Sequence, residues 1–456
     1  MSAELVEAAL AAATLPCVVI VTDRSETNLR WALSSLTTNG QMHAVELTVI
    51  ATAPVNGGTA VGNVTREVSA AGEVGAVVAA AEAIAGSGPP AEDAVALVTG
   101  GPDAGWDAAP QQTSVEVFAS VAPALGAAFS LAREQGHLLF GFAEHVVTTT
   151  YLGSSTGLRR RFVQPTGRLE LNAKSAAGGS AWVGVGTADF SDVDISRLHE
   201  DLLVRLGWSA TRIDLPPGHY ETLLPPSAVA DLMIYLYWTA GARDAEEGRS
   251  VFSHRSAGTR VGESLSSLPL TLSSDPAYPG LECAPFVVAG ASDGATISVF
   301  DNGLPLEATD WIRDGRLSEL ARNRAWAVRT GQQPRPVIDN LVLDGNGQAS
   351  LEEMIASTSR GLLLTCLWYI REVDPEQLLL TGLTRDGVYL IEDGQVRGAV
   401  NNFRFNESPV DLLRRVSEVG VAQQTLPREW NDYFTRTVMP PLRVADFNMS
   451  TVSQAS

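Results

Sequence analysis

His145-Val-Val-Thr-Thr-Thr-Tyr151, Arg159-Arg-Arg-Phe-Val163, Gly167-Arg-Leu-Glu-Leu-Asn-Ala173 and Ser180-Ala-Trp-Val-Gly184 follow one another with only short interruptions of Gly, Ser and Pro. β-Branched and aromatic residues dominate these runs, which therefore read as strands. Working outward, residues 115–135 have helical periodicity and end at Gly136, a natural helix stop, while 198–206 reads as a closing helix. The order of elements is not the regular alternation of a doubly wound α/β protein.

Toward the N-terminus, residues 3–13 are alanine-rich and helical, and 17–21 form a short apolar strand. Asn39-Gly40 predicts a tight turn, with 44–52 as the returning strand of a hairpin. Residues 64–85 are small, apolar and helical in period, and Gly86-Ser-Gly-Pro-Pro90 breaks the chain. The stretch 86–113, rich in Gly, Pro, Ala and Asp, reads as an exposed excursion. Leu215-Pro-Pro-Gly218 is the clearest linker. Beyond it, 220–224 is a strand and 227–239 a helix, with Ser227 as its expected N-cap and Val229, Leu232, Met233 and Leu236 at helical spacing. Strands are expected at 286–288, 297–300, 362–370, 387–391 and 396–399, the last two joined at Asp393-Gly394. Ser350-Leu-Glu-Glu353 opens a helix through a capping box. The expected fold is α+β, a helix-and-sheet N-terminal part followed by a β-rich, barrel-like C-terminal domain. It divides into segments 1–85, 86–210 and 211–456.

The chain has 456 residues, 52 acids against 32 bases, and a formal charge of −20. Lys174 is its one lysine. Such a surface repels phosphate backbones, so nucleic-acid binding is not expected. Cys17, Cys283 and Cys366 are odd in number and widely spaced, which argues against a disulfide framework or a cysteine zinc ribbon. Met1-Ser-Ala-Glu-Leu carries an acid where a secretory leader needs positive charge, and the longest apolar runs fall short of the ~20 residues that span a bilayer. The expectation is a soluble cytoplasmic protein.

No catalytic constellation emerges from the residues alone. The six histidines (43, 137, 145, 199, 219 and 254) include no pair one helical turn apart, so H-E-x-x-H is missing. His219 and His254 are no more than isolated candidates. Asp344-Gly-Asn346-Gly resembles a calcium loop, but the sixth position is Ala349 and the twelfth Ile355, so a plain turn is expected. Gly184-Val-Gly186 lacks the third glycine of a dinucleotide site. Cys366 lies in an apolar run and reads as structural. Arg159-Arg160-Arg161 concentrates positive charge on an acidic chain. Two readings stand side by side: a solvated hairpin, or a grip on the carboxylate of a peptide or partner.

Several stretches resemble the TldD/PmbA family, in particular its PmbA (TldE) branch. They are Asn28-Leu-Arg-Trp-Ala with Leu36-Thr-Thr-Asn-Gly40, Tyr151-Leu-Gly-Ser-Ser-Thr-Gly157, and Glu221-Thr-Leu-Leu-Pro-Pro-Ser-Ala-Val-Ala230. Further along come Glu247-Gly248-Arg with Gly262-Glu263, Phe300-Asp-Asn-Gly303, and Asp374-Pro with Leu380-Thr-Gly-Leu-Thr-Arg-Asp-Gly387. Asn401-Asn-Phe-Arg-Phe405 and Pro440-Pro-Leu-Arg-Val-Ala-Asp-Phe447 complete the set.

The resemblance implies a relation to zinc peptidases that trim unfolded or modified peptides. Their metal-bearing members carry H-E-x-x-x-H on the first helix of the C-terminal domain and a cysteine near the C-terminus. This sequence departs at every ligand. Pro226 stands at the first histidine, Ser227 at the general base and Asp231 at the second histidine, and no cysteine falls between 421 and 444. Catalytic zinc normally takes three protein ligands and a water. The resemblance therefore implies a metal-free chain with no cofactor of its own. Its expected partner is a zinc-bearing, TldD-like sibling, the two together enclosing a chamber for peptide substrates. An exposed sheet edge, after His145 or around 362–370, is the expected place for an extended peptide, and Arg159–Arg161 for its C-terminal carboxylate. Two other readings remain: a peptide-binding module that does not cut, and a self-contained hydrolase using Ser227 at a helix N-terminus.

Overall fold

The computed structural model describes residues 2–453 apart from 177 and 386. The N-terminal half is one six-stranded antiparallel sheet. Its strands are β1 (Cys17–Ala32), β2 (Ser35–Val55), β3 (Gly58–Glu67), β4 (His137–Ser154), β5 (Arg159–Ser175) and β6 (Ser180–Thr187), in the order β3-β2-β1-β4-β5-β6. Side chains alternate across a strand, and β1 shows what each face meets. Cys17, Val19 and Val21 pack with α1 (Ser2–Ala12) and α2 (Val74–Ser87). Leu29 and Trp31 pack with α3 (Ala122–Glu134) and α4 (Ile195–Trp208). Val18 and Ile20 face the other way, against Phe286, Val299 and Phe300 of the C-terminal half. The stretch 86–113 is not an excursion, because Ala94, Val95, Leu97 and Val98 are half-buried on that second face and Trp106 is buried on the first.

Several N-terminal boundaries differ from expectation; the expected helix 115–135, for one, opens as a 3₁₀ turn at Val115–Phe118 and becomes α-helix only at Ala122. The β1–β2 turn falls at Leu33-Ser34, both with φ of 54°, while Asn39-Gly40 lies inside β2 with Gly40 opposite Asn28. Tertiary bonds hold these two non-glycine residues left-handed: Ser34 exchanges main-chain and side-chain hydrogen bonds with Leu139, and its carbonyl accepts from Arg133. The expected helix 64–85 starts only at Val74, since residues 64–67 form the end of β3 and pair with Glu46 to Val49 of β2. Gly136 does end α3, at φ 75°.

The C-terminal half is rich in sheet. Its larger sheet runs in the order Leu367–Asp374, Leu379–Thr384, Phe403–Glu407, Leu442–Val452, Gly218–Leu224, Arg360–Leu364, Val388–Glu392, Gln395–Val400, Arg212–Ile213. Val416–Val419 pairs with Leu442–Val452 beside this path. Among the described residues the end strands do not meet, so the sheet is open rather than a closed barrel. A second, six-stranded sheet contains Thr271–Ser274, Leu341–Asp344 and Thr437–Met439. The helix α5 (Pro226–Trp238) shares one core with both sheets, and ten of its thirteen residues are buried. A helix apolar on all sides belongs in such an interior.

Here too some elements move. Ile297–Phe300 is not a strand; Val299–Asp301 is a turn of 3₁₀-helix capped by the Ser298 hydroxyl. Phe286 makes one isolated bridge to Pro305. The expected strand 362–370 breaks in two at Thr365, whose hydroxyl bonds to the Gly387 carbonyl. Its second piece, Leu367–Asp374, becomes the edge of the large sheet. The hairpin at Asp393-Gly394 and the capping box at Ser350 form as expected.

Candidate functional site

The Pro225-Pro226 pair starts α5. Pro225 is the N-cap and Pro226 the first helical residue, so the helix begins without a side-chain cap. Proline there has no N–H that needs a partner, and its φ is already helical. Ser227 is thus inside the first turn rather than the N-cap. Among the described residues no histidine hydrogen-bonds its hydroxyl.

About one turn beyond Ser227, Asp231 is fully buried. Its Oδ1 accepts the Glu429 N–H at 2.9 Å, its carbonyl accepts the Trp430 indole N–H at 2.9 Å, and its Oδ2 has no hydrogen-bond partner. Burial pushes this carboxyl well above the usual range, and the neighbouring Glu429 carboxylate pushes the same way. Burial thus favours the neutral form of Asp231, and its two bonds tie α5 to the 428–434 segment. Zinc needs three deprotonated ligands. Pro226 offers none, burial works against ionising Asp231, and no cluster of three His, Cys, Asp or Glu side chains occurs among the described residues. These residues do not fit the metal.

Glu429 does structural work of another kind. Its two oxygens accept the N–H groups of Tyr369 and Ile370, each at 3.1 Å. Those N–H groups lie where the ladder between Leu367–Asp374 and Leu379–Thr384 is interrupted, and Tyr369 has φ of 52°. The carboxylate thus holds a bulge in an edge strand and points Tyr369 outward. Burial pushes the Glu429 carboxyl up, opposed by these two bonds and by the Arg371 and Arg428 guanidinium groups.

Around this bulge Trp238, Trp368, Tyr369, Arg371, Glu429, Trp430 and Tyr433 line an open cleft of about 460 Å³. Trp238 and Trp430 pack edge-on with centroids 5.1 Å apart. Arg428 stacks over Trp368 at 4.5 Å and over Trp182 at 5.1 Å, and pairs with Glu170 at 3.3 Å, joining the cleft to β5 and β6. Sequence reading named the edge around 362–370, which holds Trp368 and Tyr369, but passed over the other residues of the cleft. The available signal was Trp368-Tyr369 followed by Arg371-Glu372, where an apolar run turns aromatic and then charged.

The arginine run lies elsewhere, at the start of β5. Arg159 forms a two-pronged pair with Glu7, at 2.6 and 2.7 Å, and holds the Glu7 carboxyl below its usual range. Arg160 pairs with Asp103 at 2.8 Å; Arg161 donates to the Ala109 carbonyl and lies over Tyr151. His219 bonds to the Asp446 carbonyl, and His254 accepts from Ala257. All three thiols are buried, and burial pushes Cys17 up to about 11 and Cys283 to about 12, far from a nucleophile's range. Among the described residues no helix is long and apolar enough to cross a membrane.

The helix carrying Pro226, Ser227 and Asp231, set between two sheets, is the core of a recognisable domain. Residues 217–451 match the PmbA/TldA metallopeptidase C-terminal domain, and the chain belongs to the TldD/PmbA family. Among solved structures it is similar to TldE from Thermococcus kodakarensis, with a TM-score of 0.79 at 17% identity over 98% of each chain. It is also similar to proteins described as modulators of DNA gyrase. One is from Thermotoga maritima, with a TM-score of 0.74 at 17% identity, covering 98% of this chain and 99% of that one. Another is from Bacteroides thetaiotaomicron, with a TM-score of 0.75 at 16% identity, covering 99% and 98%. These likenesses establish the shared fold. No curated protein matches the sequence significantly.

Proposed function

We propose that this chain is the metal-free subunit of a TldD/TldE-type metallopeptidase complex, a cytoplasmic heterodimer acting in peptide proteolysis. A zinc-bearing sibling supplies the hydrolytic centre. The observation that carries this reading is Asp231: at a position of the family's metal motif stands a buried aspartate whose carboxyl accepts the Glu429 N–H and whose main-chain carbonyl accepts the Trp430 indole N–H. The metal helix is retained as a packing element. This subunit's part is to close the chamber and to hold an extended peptide, and Leu367–Asp374, an edge strand beside an aromatic cleft, supports that part. The internal pairs of Arg159–Arg161 leave less positive charge there for a substrate carboxylate.

The same edge and cleft also favour a second reading, a peptide-binding protein that does not cut. Elemental analysis separates the two. Zinc absent from the purified chain alone, with about one zinc per mixed dimer after co-expression with an H-E-x-x-x-H sibling, is the expected result. Stoichiometric zinc in the lone chain would overturn the reading, and failure of any sibling to co-purify would favour the peptide-binding alternative.

A further inference from the structure

We propose that the cleft formed by Trp238, Trp368, Tyr369, Glu429, Trp430 and Tyr433 is a binding site for a cationic side chain. The ligand is an arginine or lysine of a peptide lying along the Leu367–Asp374 edge. This deepens the peptide-holding role proposed above and rests on it.

Three independent observations converge. The first is composition. Five aromatic rings surround one carboxylate, and aromatic faces and a carboxylate share an attraction for cations. Tyr433 is 74% exposed and Tyr369 55%, so core packing does not account for either ring. The second is unused capacity. Each Glu429 oxygen takes a single backbone N–H, and a carboxylate offers about four acceptor sites. Its side chain is 90% buried, so a charge-assisted bond made there is poorly screened by water.

The third observation is that the chain's own cations already use the site in this way. Arg428 stacks on Trp368 at 4.5 Å, and Arg371 lies 5.9 Å from the Tyr369 ring and 3.6 Å from the Glu429 carboxylate. Arg428 is pinned by Trp182 and Glu170. Arg371 is 64% exposed and too far from Glu429 for a hydrogen bond. It donates to the Ile370 carbonyl at 2.6 Å, a bond an exposed arginine can exchange for water while an incoming guanidinium takes its place at the ring and the carboxylate. The left-handed backbone of Tyr369 fits this picture, since strain of this kind gathers at binding sites.

The test uses the lone chain and its tryptophan fluorescence, titrated with acetyl-Gly-Gly-Arg-Gly-Gly-amide and with the same peptide carrying citrulline or glutamate. Saturable quenching by the arginine peptide is expected, at least about tenfold tighter than by citrulline, its neutral isostere. Tyr433→Ala should weaken binding, and Arg371→Ala should tighten it several-fold by removing the resident competitor. Equal affinity for arginine and citrulline, preference for glutamate, no saturable signal, or loss of binding in Arg371→Ala would each overturn the proposal. The last two variants alter exposed side chains, so folding does not confuse the result. A mixed complex that cuts peptides while the lone chain shows no arginine preference removes the cation site and keeps the pairing. Arginine-selective binding with no proteolysis by any complex does the reverse.

Discussion

Replacing Glu429 with alanine tests the central feature of the cleft, a carboxylate that holds an edge-strand bulge. The side chain takes two backbone N–H bonds, from Tyr369 and Ile370. Bonds to a charged acceptor contribute about 1.5–3 kcal/mol each, so their gross loss is about 3–6 kcal/mol. Two effects reduce it. Tyr369 is exposed, so its freed N–H can bond to water, and relaxing its φ of 52° returns about 1 kcal/mol. A local destabilisation of about 2 kcal/mol remains, equivalent to about thirtyfold at 1.36 kcal/mol per decade. A chain of this size need not unfold in one step, so the local opening rather than global unfolding is the proper readout. Native-state amide exchange, followed over 365–374 with β1 and β2 as reference, should accelerate about thirtyfold at Tyr369 and Ile370. Glu429→Gln should fall between, because its amide presents one acceptor and one donor to two N–H groups. Exchange within about threefold of the parent, or acceleration equally spread over the whole chain, would refute the reasoning.

Two further predictions concern other parts of the molecule. Asp231 has a folded pKa above its unfolded value, so the folded chain binds the extra proton and this group's contribution falls as pH rises above the ordinary aspartate range. The slope reaches about 1.4 kcal/mol per pH unit, and Asp231→Asn, which cannot ionise, should flatten the fall in thermal stability that begins above about pH 4; parallel profiles would show that the Asp231 carboxyl is not raised in the fold. At Gly62 in β3 an added Cβ would stand 1.9 Å from the Ala81 carbonyl oxygen and 2.4 Å from the Ala85 nitrogen, both backbone atoms of α2. Gly62→Ala should therefore lose about 3 kcal/mol by chemical denaturation, whereas Gly75→Ala in α2, with nothing within 4 Å, should gain up to about 1 kcal/mol; similar effects at both sites would contradict the packing.

Much of the fold was legible because local chemistry repeats. Alternating β-branched runs gave β4 to β6, Gly136 ended α3, and Asp393-Gly394 and Ser350 to Glu353 formed the turn and the box their residues favour. Local rules failed where distant groups outbid them. Leu33-Ser34 took the turn from Asn39-Gly40 because Leu139 and Arg133 bond to Ser34. Residues 64–67 left their helical pattern because β2 offered them a ladder. The strand 362–370 broke because Thr365 turns to Gly387.

The site divides in the same way. Sequence by itself determined that the motif helix carries Pro226, Ser227 and Asp231 in place of metal ligands, since ligand identity is a property of residue type. It could not show that the Asp231 carboxyl is pushed up, because that depends on burial and on Glu429, 198 positions away. Nor could it assemble Trp238, Trp368 and Trp430 into one cleft. A ring contact between segments more than a hundred residues apart has no local pattern, and only the packing of α5 against the sheet edge brings them together.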